Sequence, residues 1–139
     1  MTTYEEIYDF FLSKIEDYQI KEQLETKTDI ALDFLFTLLR SSIPKFTYSV
    51  VDLSDRSDDG KYFNIQLDHM EKEILGTLMV IEYLSPKILR DELLEEKLGS
   101  KDFRLFSPAN QLKELRALRD SYKTEANSLM SEYYYRRGI

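Results

Sequence analysis

The chain has no cysteine and no tryptophan, one histidine, three prolines and four glycines. Without cysteine it has neither a disulfide framework nor thiolate chemistry. A lone histidine with no cysteine beside it is a poor ligand set for a transition metal. The glycines, at 60, 76, 99 and 138, are too scattered to build a phosphate-cradling loop. Long apolar runs are missing too. The richest, Ile74 to Leu84, is broken by Gly76, Thr77 and Glu82 and falls well short of the ~20 residues that span a bilayer. The opening MTTYEEIYDF is acidic and lacks the basic and apolar regions of a signal peptide, so a cytoplasmic protein is expected. Positive charge is scarce: 19 Lys and Arg stand against 26 Asp and Glu, a net charge of −7. A protein that tracks phosphates draws its affinity from clustered Lys and Arg, so nucleic-acid binding is disfavoured. The same charge suits a channel wall past which DNA must slide without sticking.

What is present is aromatic and helical. At 139 residues the chain is one domain by length, large enough to bury a core without metal or disulfide staples. Ten Tyr and eight Phe are a heavy load, and tyrosine is enriched at interfaces because it joins apolar area to a polar tip. The stretch DHMEKEILGTLMVIEYLSP, 68–86, reads as a helix apolar nearly all round, which neighbours must wrap. Asp68 and Glu71 have capping-box spacing at its start, Pro86 closes it, and Leu78, Met79 and Ile81 are expected to be buried. Gly76 in its interior costs up to ~1 kcal/mol against Ala and therefore marks a close helix–helix approach.

Around it, residues 3–18 form an amphipathic helix. Thr3 and Glu6 cap it, and Tyr4, Ile7, Tyr8, Phe11, Ile15 and Tyr18 share its inner face. Gln19–Lys27 reads as a polar connector. Thr28 caps a helix over roughly 29–42, which Pro44 ends. Alternation at Phe46, Tyr48 and Val50, and again at Phe63, Ile65 and Leu67, brackets the polar tip SDRSDDGK and suggests a hairpin or extended loop over 46–67. Ser85-Pro86 starts a further helix that Gly99 stops; 100–107 is extended or looped; a last helix covers about 108–133; 132–139 forms a tail. The expected fold is mainly α: a small helical bundle around a buried central helix, with a protruding hairpin or extended loop and a long C-terminal helix.

Chemistry is hard to find in this frame. Asp55, Ser57, Asp59 and Gly60 match the opening of a calcium-binding EF loop, but its twelfth position is Gln66 where a bidentate Glu belongs, and the flanks alternate like strands. Calcium binding is not expected. His69 has neither a nucleophile motif nor a glycine-rich loop beside it. Asp91-Glu92 and Glu95-Glu96 read as a solvated helix face. The chain is read as no enzyme, with no cofactor and no metal.

Partner-binding residues are sought at the surface. The tail holds Tyr133, Tyr134, Tyr135, Arg136 and Arg137. Successive helical residues lie ~100° apart, so three consecutive tyrosines cannot share one face. Arg and Tyr are the types that dominate binding hot spots. Two readings follow: a tail that covers the end of the bundle, or one that docks on a partner and is dispensable for folding. The hairpin tip, with Asp55, Asp58 and Asp59, is expected to project toward a neighbouring subunit rather than cover its own core. Phe103 and Phe106, in SKDFRLF, are further contact candidates.

The order of segments resembles the head-to-tail adaptor (head-completion) proteins of tailed bacteriophages. A short N-terminal helix precedes LDFLFTLLRSSIPKF, a polar excursion, EKEILGTLMVIEYLSP, and then GSKDFRLFSPANQLKELRALRDSYKTEANSLMSEYYYRR. The long stretch 86–107 departs from that pattern. The resemblance implies a structural virion protein of the neck, assembled in the host cytoplasm. It further implies a dodecameric ring that joins the portal protein to a tail-side neck protein or stopper, through which DNA passes without specific binding. The alternative from another class is a small helical protein-binding module, a chaperone or regulator with no virion role.

Overall fold

The computed structural model describes residues 1–15, 18–106 and 111–137, and within them the side chains of all but 18, 19, 21 and 98–106. The fold is a mainly helical bundle. Strand β1 (Thr2–Thr3) leads into α1 (Tyr4–Lys14), α2 (Tyr18–Thr26), α3 (Thr28–Ser42) and a single 3₁₀ turn at Ile43–Lys45. Strands β2 (Arg56–Ser57) and β3 (Tyr62–Phe63) follow, then α4 (His69–Phe106) and α5 (Gln111–Arg136). One hydrophobic cluster draws on every helix, from Tyr4, Phe11 and Ile20 through Leu35, Leu39 and Met79 to Ala126 and Tyr133.

Helix α4 is the axis, packed by α1, α3 and α5. Its start is the expected capping box: the Asp68 N–H donates to Glu71 Oε1 and the Glu71 N–H to Asp68 Oδ1, both at 2.8 Å. Helix α1 opens in the same way, with the Thr3 N–H donating to Glu6 Oε2 at 2.8 Å. Leu78 and Met79 are buried as expected; Ile81 is only half-buried. Gly76 is the crossing point of α1 and α4. A Cβ there would lie 2.8 Å from Phe10 Cβ and 3.2 Å from the Phe11 nitrogen, so the missing side chain is what lets the two backbones meet.

Several expected boundaries move. Neither Pro86 nor Gly99 ends a helix; α4 runs through both to Phe106, and 100–106 is helical rather than extended. Pro86 forfeits one backbone bond and its ring crowds the preceding turn, a cost of ~3 kcal/mol. The ring lies on the exposed side, Ser85 Oγ donates to the Ile81 carbonyl at 2.8 Å, and Tyr83, Leu84 and Ile88 stay buried on either side. Packing on both flanks outweighs the local penalty. The polar connector 19–27 is largely α2, held through buried Ile20. Helix α1 ends at Lys14, and the Tyr122 hydroxyl donates to the Lys14 carbonyl at 3.0 Å. Thr28 lies inside α3 rather than capping it, its hydroxyl donating to the Leu24 carbonyl. Asp91, expected on a solvated face, is buried.

The excursion 46–67 contains a hairpin, but its strands are two residues each, and the 46–50 alternation forms no strand. Antiparallel β3 lies between β1 and β2, pairing Thr2 and Arg56 with Phe63, and Thr3 and Ser57 with Tyr62. The tip stands at the surface, whereas Phe46, Leu53, Phe63 and Leu67 sit in the core. A two-stranded ribbon is marginal alone; here the N-terminus supplies the third strand. Thr2 pins it, donating through Oγ1 to the Ile65 carbonyl and accepting from the Leu67 N–H.

Candidate docking surface

The sequence places Tyr133, Tyr134, Tyr135, Arg136 and Arg137 together in a tail; the structure divides them. Helix α5 continues to Arg136, so this stretch is helical and each residue points 100° from the last. Tyr133 turns inward and is 1% exposed. Its ring meets Phe46 edge-on at 5.2 Å. Its hydroxyl donates to Glu71 Oε2 at 2.6 Å and accepts the Val50 N–H at 3.1 Å. Burial, and then the bond to Glu71, push the phenol up to about 12. Burial also raises the Glu71 carboxyl, against the Tyr133 bond, which lowers it. Arg137 folds back across this contact. Its guanidinium pairs with Asp68, stands 3.9 Å from Glu71 Oε2 and covers the Tyr133 ring at 5.0 Å.

Tyr133 and Arg137 therefore lock the end of α5 onto the capping box of α4. This corrects the expectation of a tail dispensable for folding: cutting after Ser131 would empty the core at Tyr133 and strip Glu71 of a partner.

The residues that face outward form a different surface. Tyr135 is 80% exposed. Tyr134 is half-buried against Tyr48 of the excursion, centroids 5.2 Å apart, and stands 6.0 Å from the Tyr135 ring. Tyr48, Ser131, Tyr134 and Tyr135 line a shallow cleft of about 260 Å³. Val50, two residues after Tyr48, is also exposed. Arg136, one step past Tyr135 on the helix, forms an i, i+4 pair with Glu132 at 2.6 Å. Both partners are solvated, so the pair adds only ~0.3–0.5 kcal/mol and leaves the guanidinium available to another acceptor.

The hairpin-tip acids are not part of this surface. Asp55 accepts from Asn64 Nδ2 at 2.8 Å. Asp58 Oδ1 accepts the Tyr4 hydroxyl at 2.6 Å and Arg56 Nε at 3.1 Å. The Tyr4 bond, followed by Arg56, holds the Asp58 carboxyl below its usual range. Ser57 Oγ, at the third position of the calcium-like spacing, accepts the Gly60 N–H at 2.9 Å. Asp59 is exposed. These groups close a turn in which Lys61 adopts φ 62°, a left-handed conformation uncommon for a residue with a side chain. His69 is the first residue of α4, its ring edge-on to Phe10 at 5.1 Å. Phe103 and Phe106 lie on the helical backbone of α4, with side chains outside the described residues.

Tyr48 is the member of the surface that sequence reasoning missed as a binding residue. Its signal, an aromatic in a polar stretch just after Pro44, was absorbed into a strand pattern.

No protein-family model, curated protein or solved structure matches the chain. Among the described residues no helix is long and apolar enough to cross a membrane.

Proposed function

We propose that this chain is a structural virion protein, a head-to-tail adaptor that forms a ring joining the portal to the tail or stopper and continues the DNA channel. The sequence argument for this class is the order of segments described above. The observation that carries a docking role is the outward cluster of Tyr48, Tyr134 and Tyr135, with the solvated Arg136 next along the helix. The exposed Tyr135 and Tyr48, with Tyr134 half-buried between them, add little to the bundle's own core, and Tyr with Arg is the composition of binding hot spots. Tyrosine offers a large rigid area at small entropic cost, suited to an assembly whose subunits fold first and meet later. The net charge of −7 suits a wall that DNA passes without adhering. In this reading Tyr134 and Tyr135 seat in apolar pockets of the partner, Arg136 leaves Glu132 for an acidic group there, and the solvated tip around Asp59 faces a neighbouring subunit.

The test looks for a portal gene among the neighbours of the gene for this chain and co-expresses the two, read by electron microscopy of the purified portal. Wild-type chain should add a ring of density to the portal. A Tyr134→Ala, Tyr135→Ala double variant, with an unchanged circular dichroism spectrum, should not. Attachment at the wild-type level by that variant would remove the tyrosine surface from the docking role. A chain that never joins a portal would favour a helical binding module without a virion role.

A further inference from the structure

A second recess lies between α1 and α3, beside Lys61 of the hairpin. It has a volume of about 380 Å³ and is lined by Tyr4, Glu5, Tyr8, Asp29, Leu32, Asp33 and Lys61. Three of these are carboxylates and one is an ammonium. The ammonium is already engaged: Lys61 Nζ sits 4.1 Å above the Phe36 ring and donates to the Asp58 carbonyl. The recess is thus negative overall, with an apolar side at Leu32 and two aromatic rings.

Acidic residues on a surface are common and by themselves mean little; Tyr8 is what sets this recess apart. It is 4% exposed, yet among the described residues no group hydrogen-bonds its hydroxyl. No side-chain oxygen or nitrogen described here is both sealed from solvent and unpartnered. The Tyr8 oxygen therefore opens into the recess that its ring lines. A buried phenol normally finds a partner within the protein; here the hydroxyl is left for water or a bound donor that enters through the recess. Burial first, then the charges of Glu5, Asp33 and Asp58, raise this phenol and keep it neutral.

We infer that the recess between α1 and α3 is a binding site for an organic cation, an alkylammonium or guanidinium group carried on a short aliphatic stem. The charged head pairs with a rim carboxylate, Asp33 or its neighbours Asp29 and Glu5, and donates to the Tyr8 oxygen, while the stem lies against Leu32. Charge-assisted bonds to carboxylates and a cation over aromatic faces are the two interactions such a head seeks. A bare metal ion does not fit, because among the described residues no three acidic or histidine side chains converge closely enough to hold one. The shared chemistry has two sources: an Arg or Lys side chain of a partner chain, or a free small amine.

The experiment is a titration of ¹⁵N-labelled full chain, at fixed ionic strength, with agmatine, putrescine and the peptide Gly-Arg-Gly. Saturable amide shifts confined to residues 4–8 and 29–33 are expected with at least one probe. Tighter binding of the peptide assigns the site to a partner's side chain; tighter binding of the free amines assigns it to a small ligand. Tyr8→Phe removes a hydroxyl that bonds nothing in the protein, so it should keep the wild-type melting temperature while weakening binding roughly tenfold. Asp33→Asn should weaken it by a similar factor, on the order of tenfold. Two results would overturn the assignment: no saturable shift with any probe at tens of millimolar, or equal affinity in Tyr8→Phe, which would mean attraction to surface charge alone.

Discussion

Two regions of the molecule use the same hydrogen bond to opposite effect. At the hairpin, the Tyr4 hydroxyl donates to Asp58; at the far end of α5, the Tyr133 hydroxyl donates to Glu71; both bonds are 2.6 Å long. Both rings are fully buried. The carboxylates differ. The Asp58 side chain keeps 41% of its exposure and has Arg56 at 3.1 Å, and its carboxyl is lowered. The Glu71 side chain keeps 2%, the nearest guanidinium atom stands at 3.9 Å and is committed mainly to Asp68, and its carboxyl is raised. A tyrosine bond stabilises the charged form in each case. Water and a close cation let that effect win at Asp58, whereas desolvation overrides it at Glu71.

The comparison can be broken first at the rings. Tyr4→Ala or Tyr133→Ala should each cost about 3–5 kcal/mol in denaturant unfolding, because both empty a packed core site. A small loss at either would show that its ring is not part of the core. Removing only the hydroxyl separates the two regions. Tyr133→Phe leaves the buried Glu71 oxygen and the Val50 N–H short of a partner and should cost about 1–3 kcal/mol. Tyr4→Phe leaves Asp58 with Arg56 and water and should cost under ~1 kcal/mol by the same measurement. Equal losses would mean that exposure of the carboxylate does not matter.

Acid titration sharpens the difference. Asp58 has a lowered folded pKa, so its contribution is present above the unfolded value near 3.8 and is lost as pH falls through the folded one. Glu71 has a raised folded pKa, so its contribution is full below the unfolded value near 4.5 and is lost as pH rises through the folded one. Asp58→Asn should therefore flatten the loss of stability below about pH 4. Glu71→Gln, whose amide oxygen can still accept from Tyr133, should flatten the change above about pH 4.5. Melting temperature against pH reads both; profiles unchanged from wild type in either variant would contradict the assigned direction. The smallest effect belongs to Tyr135→Ala, expected within ~0.5 kcal/mol of wild type because that ring is solvated. A larger loss would move Tyr135 from the docking surface to the core.

Where a signal was local and the structure agreed with it, the sequence was readable. Thr3–Glu6 and Asp68–Glu71 are three residues apart, and three residues is the span a capping box needs. Gly76 in an otherwise greasy helix announced a close helix–helix approach, because a missing Cβ offsets the helical cost of glycine, but that α1 is the partner came only from the structure. Pro86 and Gly99 misled for the opposite reason: each is a true local breaker, but the buried residues flanking Pro86 carry α4 through it. The tail misled because YYYRR looks alike in every residue, and only the 100° step of a continuing helix separates buried Tyr133 from solvated Tyr135. The recess at Tyr8 was invisible in the sequence, since Glu5, Tyr8, Asp29 and Asp33 come from two helices whose divergence is a matter of packing.

The sequence by itself determined the helical class, the two capping boxes, the apolar axis at 74–84 and a close approach at Gly76. All of these follow from the chemistry of residues within one or two turns of each other. Tertiary structure alone decided that α4 would override its proline, that the excursion would seat Phe46 and Phe63 in the core, and that Tyr4 and Tyr133 would each find a carboxylate 54 and 62 residues away. Those outcomes depend on how much apolar surface is buried when distant segments meet, a quantity that no local window of sequence contains.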